Sequence, residues 1–206
     1  MIRYTQTTKD ILNFIEDYGF ITSKICGNVM YKNSRYGVEQ ARKKLKSLVN
    51  NGDIKAYNDR LYGKELLYQK FKKPVSSHKY YLLNFYSEIY KLVDKVEYFK
   101  LEETWHFANK RSDGHIIISN SKNGKKYVKG FLIEFEKYHK MEQDKYDTIY
   151  ETGEVQQWYK LKYGVANFPD IIVINYRGET DAITDYNYSI IGLDYNFEGL
   201  VNKVIL

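Results

Sequence analysis

The sequence predicts an α+β protein in two parts: a set of short helices closed by a hairpin, then an α/β domain built on a longer hairpin. Three observations lead there. Apolar residues recur at helical spacing through residues 9–49, whereas alternation and continuous apolar runs dominate after residue 97. The charge is lopsided: residues 1–79 carry 16 Lys/Arg against 7 Asp/Glu, and residues 80–206 carry 16 against 19. Between the halves, Lys72-Lys73-Pro74-Val75-Ser76-Ser77 is polar and holds one of only two prolines. These features set the parts at 1–73 and 80–206, with a linker over 74–79.

Composition narrows the function classes. At 206 residues, 43% hydrophobic and 17% aromatic, the chain can bury a sizeable core and is not disordered. The 22 tyrosines read as a bias toward Tyr, Lys, Asn and Ile rather than as tyrosine chemistry. Cys26 is the single cysteine, which excludes an internal disulfide and a thiolate zinc site, and four scattered histidines do not restore one. No run of about 18 apolar residues occurs, so no membrane partner is expected. Met1-Ile2-Arg3-Tyr4-Thr5-Gln6 lacks the apolar stretch of a secretory signal, and a cytoplasmic location is expected. A basic first part beside an acidic second part points to a nucleic-acid-binding module at the N-terminal end.

Thr7-Thr8 precedes a helix over 9–18, with Ile11, Leu12, Phe14, Ile15 and Tyr18 on one stripe and Gly19 as its stop. A short second helix is expected over 21–26, broken by Gly27. The third begins near Ser34 and runs to Val49 on Val38, Ala41, Leu45, Leu48 and Val49, ending at Asn50-Asn51-Gly52. Strands over 54–57 and 61–64 then flank the turn Asn58-Asp59-Arg60. Three short helices followed by a hairpin form the winged version of helix-turn-helix, and residues 38–54 resemble its third helix and first wing strand. In such domains the third helix enters the major groove and the wing touches the backbone or minor groove. The exposed face here carries Arg35, Tyr36, Gln40, Lys43, Lys44 and Ser47. Arg35 and Gln40 suit base edges, whereas Arg42, Lys43, Lys44 and Lys46 suit phosphates. Arg60, at the wing tip, is the candidate for a minor-groove or phosphate contact.

The second part opens with a short strand over 79–83 and a helix over 85–96. Strands follow over 97–104, 114–119 and 126–136, then a long polar helix over 139–163 interrupted near Gly153. Pro169-Asp170 opens the apolar run 171–174, and 189–193 gives a last strand. Asn123-Gly124 between Ile116-Ile117-Ile118 and Phe131-Leu132-Ile133 signals a two-residue type I′ turn. That turn sets Lys122 opposite Lys125, Asp113 opposite Glu134 and Arg111 opposite Glu136. Directly opposed side chains stand about 4.5–5.5 Å apart at Cβ, where two carboxylates repel unless a cation, a proton or a counter-charge intervenes.

The order from residue 85, α-β-β-β-α-β, resembles the core of restriction-endonuclease-like (PD-(D/E)XK) proteins, whose signature is Pro-Asp, a spacer, then Asp/Glu-x-Lys. The resemblance implies that Asp113 and Glu134 would hold Mg²⁺ in an active member, where the metal activates water and stabilises charge at the scissile phosphate. Ser112-Asp113 stands where Pro-Asp would be, and Glu136 occupies the lysine position. Lys137 points to the other face of the strand and cannot substitute. This departure argues against catalysis and leaves Asp113, Glu134 and Glu136 as a vestigial site. His115 and His139 are candidate accessory ligands, although structural roles suit them better.

Across residues 9–174 the chain resembles the replication-relaxation family of plasmids, phages and conjugative elements, through the basic winged helix, Arg111-Ser112-Asp113-Gly114 and Phe131-Leu132-Ile133-Glu134-Phe135-Glu136. That resemblance implies a double-stranded-DNA-binding accessory in replication, mobilisation or transcription control, with replication or transfer machinery as further partners and no cofactor. Symmetric dimers are common among winged-helix regulators, so a homodimer is a candidate assembly, but no heptad demands one. The alternative is a Mg²⁺-dependent endonuclease or nickase using Asp113 and Glu134, with Glu136 assisting and a lysine brought in from Lys129 or Lys140.

Overall fold

The computed structural model describes residues 4–59, 65–137, 141–181 and 184–205. The chain divides into two units, Met1–Lys91 and Leu92–Leu206, so the division falls after the 74–79 segment rather than within it.

The first unit contains α1 (Gln6–Tyr18), α2 (Ser23–Met30), α3 (Gly37–Asn50), β1 (Lys55–Asn58), β2 (Leu66–Gln69) and α4 (Ser77–Leu92). Threonines cap the first two helices: the Thr8 N–H donates to Thr5 Oγ1 at 3.3 Å and the Ile25 N–H to Thr22 Oγ1 at 3.1 Å. Ile11, Phe14 and Ile15 of α1 are buried, as are Ala41, Leu45 and Leu48 of α3, which is the stripe that the helical spacing requires. β1 and β2 pair antiparallel, and Ile21 bridges Tyr68 through N–H···O bonds of 3.0 and 2.9 Å.

Three elements differ from expectation. Helix α2 runs through Gly27 instead of breaking there, because the residue serves close approach. A Cβ at Gly27 would lie 2.8 Å from Val38 Cα, and one at Gly37 2.9 Å from the Tyr31 carbonyl oxygen. The strand opposite β1 is Leu66–Gln69, while positions 61–64 lie outside the described residues. Residues 79–83 are helical rather than extended, and α4 spans Ser77–Leu92 in place of 85–96. Tyr80, Leu82 and Leu83 continue the same helical stripe as Phe85 and Ile89, so one helix buries them all. Helix α4 belongs with the first unit, for four reasons: Phe20 stacks on Tyr80, Lys24 pairs with Glu88 at 2.8 Å, and Asn28 Nδ2 donates to Ser87 Oγ at 3.3 Å and to Glu88 Oε1 at 3.2 Å.

The second unit is a mixed five-stranded sheet with two helices. Its elements are β3 (Lys95–Trp105), β4 (Lys110–Lys122), β5 (Lys125–Glu136), α5 (Gln143–Glu151), α6 (Glu154–Tyr163), β6 (Asp170–Asn175), β7 (Ile190–Leu193) and a closing π-helical turn, Val201–Ile205. The strand order is β3-β4-β5-β6-β7. β3, β4 and β5 are antiparallel, and β6 and β7 run parallel to β5. The helix expected at the head of the αβββαβ order sits in the first unit, so this unit reads βββααββ. Asn123 and Gly124 take φ values of 52° and 74°, the two positive dihedrals that a type I′ turn needs. The ladder follows the expected register from Lys122↔Lys125 to Gly114↔Ile133. Tyr146 and Ile149 of α5 and Val155 and Tyr159 of α6 pack with Ile117, Leu132, Ile171 and Val173 of the sheet. That packing fixes which sheet face lies under the helices: the face of Asp113, His115 and Glu134, by the period of two along each strand.

Candidate functional site

Two groups of residues carry chemistry, one in each unit. In the first unit, burying Ala41, Leu45 and Leu48 turns the other side of α3 outward, and Gln40, Arg42, Lys43, Lys46 and Ser47 are exposed. Lys44 is half-buried. Arg35 and Tyr36 are exposed but precede the helix, since α3 starts at Gly37 and Tyr36 is its cap residue. The guanidinium of Arg35 lies 5.9 Å from the Tyr36 ring centroid. Among the described residues, Arg42, Lys43, Lys44 and Lys46 have no acidic partner. Arg60 lies outside the described residues.

In the second unit, Asp113 and Glu134 are each 8% exposed. Their backbones do not pair, because the β4–β5 ladder ends at Gly114↔Ile133. Asp113 instead turns its carboxylate onto β5, where Oδ2 accepts the Phe135 N–H at 2.8 Å. Glu134 faces α5: Lys145 Nζ donates to its two oxygens at 2.7 and 2.6 Å, and Tyr146 Oη donates to Oε2 at 2.6 Å. Burial, then the charge of Asp113, raises the Glu134 carboxyl above its ordinary range, while Lys145 and Tyr146 oppose that rise. Glu136 is pushed up to about 7 by burial and by the charges of Glu134 and Asp113. Burial also drives the Tyr146 hydroxyl well above its usual value, so it remains a donor to Glu134.

The counter-charge demanded by two close carboxylates is therefore Lys145. Mg²⁺ asks for oxygen ligands in near-octahedral array at about 2.0–2.1 Å. Both Glu134 oxygens are committed to an ammonium and a phenol, and one Asp113 oxygen to a backbone N–H. No group of three or more His, Cys, Asp or Glu suited to a metal occurs among the described residues. Arranged this way, Asp113, Glu134 and Glu136 do not fit Mg²⁺: neither Glu134 oxygen is uncommitted.

Other expectations at this site change as well. Arg111 pairs with Glu102 at 3.4 Å rather than with Glu136, because β4 stays paired with β3 at Arg111↔Thr104 after β5 has left it. Lys129 lies on β5 at odd spacing from Glu134, hence on the opposite face, and cannot supply the missing lysine. His139 and Lys140 lie outside the described residues. His115 is fully buried: Nε2 is 2.9 Å from Tyr159 Oη, and Nδ1 is 3.5 Å from Glu103 Oε2, too long for a well-formed hydrogen bond. Burial lowers the affinity of His115 for a proton, and its partners place it in the packing beneath α6 rather than with Asp113. Sequence reasoning missed Lys145 and Tyr146. Their spacing from Glu134 carries no signal, because it depends on where α5 begins and how it is rotated.

No family model matches the chain, and no curated protein and no solved structure matches it. No helix among the described residues is long and apolar enough to cross a membrane.

Proposed function

We propose that this chain is a DNA-binding accessory or regulatory protein, reading duplex DNA through α3 in the manner of a winged helix. The second unit, on this reading, is a restriction-endonuclease-like scaffold for dimerisation or partner contact rather than a nuclease. The observation that carries the proposal is the outward face of α3, with four cations that have no acidic partner among the described residues. The order α1-α2-α3-β1-β2 and the Ile21–Tyr68 bridge support it, since together they set a helix pair against a small sheet. Phosphate contacts from Arg42, Lys43 and Lys46 would supply affinity and position, and Arg35 and Gln40 would read base edges. The resemblance to replication-relaxation proteins favours replication, mobilisation or transcription control of a mobile element as the setting.

Fluorescence anisotropy with labelled duplex from the gene's own neighbourhood tests this. With about six phosphate contacts, log K falls by about 5 per log unit of salt. Lys43→Ala weakens binding to every sequence and lowers that slope by about 0.9, whereas Arg35→Ala mainly relaxes sequence preference. If both variants bind all duplexes as wild type does, α3 is not the reading helix. Supercoiled plasmid incubated with Mg²⁺ or EDTA is expected to shift intact in both. Metal-dependent nicks that vanish in Asp113→Asn would instead establish the nuclease.

A further inference from the structure

The β4–β5 hairpin ends in a basic tip whose residues 121–129 are all exposed. Its register sets Lys122 opposite Lys125, Asn120 opposite Tyr127 and Ile118 opposite Lys129. Residues spaced by two share a face, so Lys122, Lys125, Tyr127 and Lys129 all project from one side of the tip. All four are exposed, Tyr127 by 51%. The acidic neighbour serves the other side: Glu97 takes Lys126 at 2.6 Å, and also Lys95, leaving the tip lysines alone. Among the described residues, Lys122, Lys125 and Lys129 have no ion-pair partner.

Folding does not favour this arrangement. Like charges directly opposed across a ladder repel, and an exposed tyrosine between lysines buries little. A ligand that brings both negative charge and a flat aromatic face satisfies the whole group. We infer that the tip of the β4–β5 hairpin binds single-stranded nucleic acid, with Lys122, Lys125 and Lys129 on the phosphates and a base stacked on Tyr127. Lys125 and Lys129 stand about 13 Å apart along the strand, far enough to touch separate phosphates. The ring favours a single strand over a duplex, because only an unstacked base offers its face to a side chain. An anionic membrane would use the lysines equally well and take the ring at its interface, but only an unstacked base pairs a flat face with the phosphates.

The test uses the full chain and three probes: fluorescent oligothymidylate, a labelled duplex, and vesicles of phosphatidylglycerol with phosphatidylcholine. Wild type is expected to bind oligothymidylate. Tyr127→Ala weakens that binding by about 5-fold to 150-fold, the range of one lost base–aromatic stack, and Tyr127→Phe retains it. Each of Lys122→Ala, Lys125→Ala and Lys129→Ala lowers the salt slope by about 0.7, and duplex affinity stays at its wild-type value in all four alanine variants. Oligothymidylate affinity unchanged in Tyr127→Ala overturns the inference while leaving the role of α3 standing. Vesicle binding that needs the lysines, with no oligothymidylate binding, overturns it in favour of a membrane surface. Loss of oligothymidylate binding in Tyr127→Ala by a protein that ignores duplex would uphold the hairpin site and sink the α3 proposal.

Discussion

Replacing Lys145 with methionine removes the ammonium that Glu134 faces while keeping most of the side chain's apolar volume. At the observed 2.6 Å, two unit charges attract by about 6 kcal/mol at an effective dielectric of about 20, before the cost of desolvating them. Both side chains are largely buried, at 12% and 11% exposure, so the lost partner is not replaced by water. Truncating one member of such a pair costs about 3–5 kcal/mol, and we expect that loss at pH 8. The penalty should shrink toward pH 5. The Glu134 carboxyl is already raised by burial and Asp113, and losing Lys145 removes causes that lower it. A carboxyl raised in the folded state binds more protons there than in the unfolded chain. Stability of the variant therefore falls as pH climbs above the ordinary carboxyl range, by at most about 1.4 kcal/mol per unit for one proton. Urea unfolding followed by tryptophan fluorescence reads the right unit, because both tryptophans, Trp105 and Trp158, belong to Leu92–Leu206. Adding Glu134→Gln, which still accepts from Tyr146, should recover most of the loss. A cost below about 1 kcal/mol at pH 8, or one that does not change with pH, would show that Lys145 and Glu134 behave as a surface pair.

Glu136 gives wild-type stability its own pH dependence. With its carboxyl raised from 4.5 to about 7, the contribution of Glu136 to stability is lost as pH rises through that window, and Glu136→Gln should flatten this part of the urea-midpoint profile. An identical profile in that variant would remove Glu136 from the cluster. In the first unit, Gly27→Ala forces a Cβ to 2.8 Å from the backbone of Val38. Since backbone cannot swing aside, a loss of about 1–3 kcal/mol is expected in thermal melts, with weakened duplex affinity through the displaced α3. A melt unchanged by that substitution would mean that α2 and α3 can part enough at Gly27 and Val38 to admit a methyl group.

Elements that depend on near neighbours in the chain were legible. The Asn123-Gly124 turn set the register of β4 on β5 from Lys122↔Lys125 to Gly114↔Ile133, though not to the expected Asp113–Glu134 pair beyond it, because turn dihedrals and the period of two act over a few residues. The stripes of α1 and α3 and the apolar run of β6 emerged for the same reason. Gly27 misled, since a glycine that ends a helix and one that admits a neighbouring helix look alike in one dimension. The strand expected over 79–83 was too short a window to tell period two from period 3.6, and the buried Phe85 and Ile89 decide for a helix.

What the amino-acid order alone determined was the kind of protein: α+β, basic in its first part, with Asp113 and Glu134 brought near each other by a local hairpin. Only the tertiary structure decided what those carboxylates meet. Lys145 and Tyr146 reach Glu134 because α5 packs across the sheet with one particular rotation, which is set by burying Tyr146 and Ile149 rather than by distance along the chain. Arg111 turned to Glu102 because β4 keeps β3 as its partner beyond the point where β5 departs. Local periodicity encodes which face a residue takes, and only the packing of distant elements determines which charge waits there.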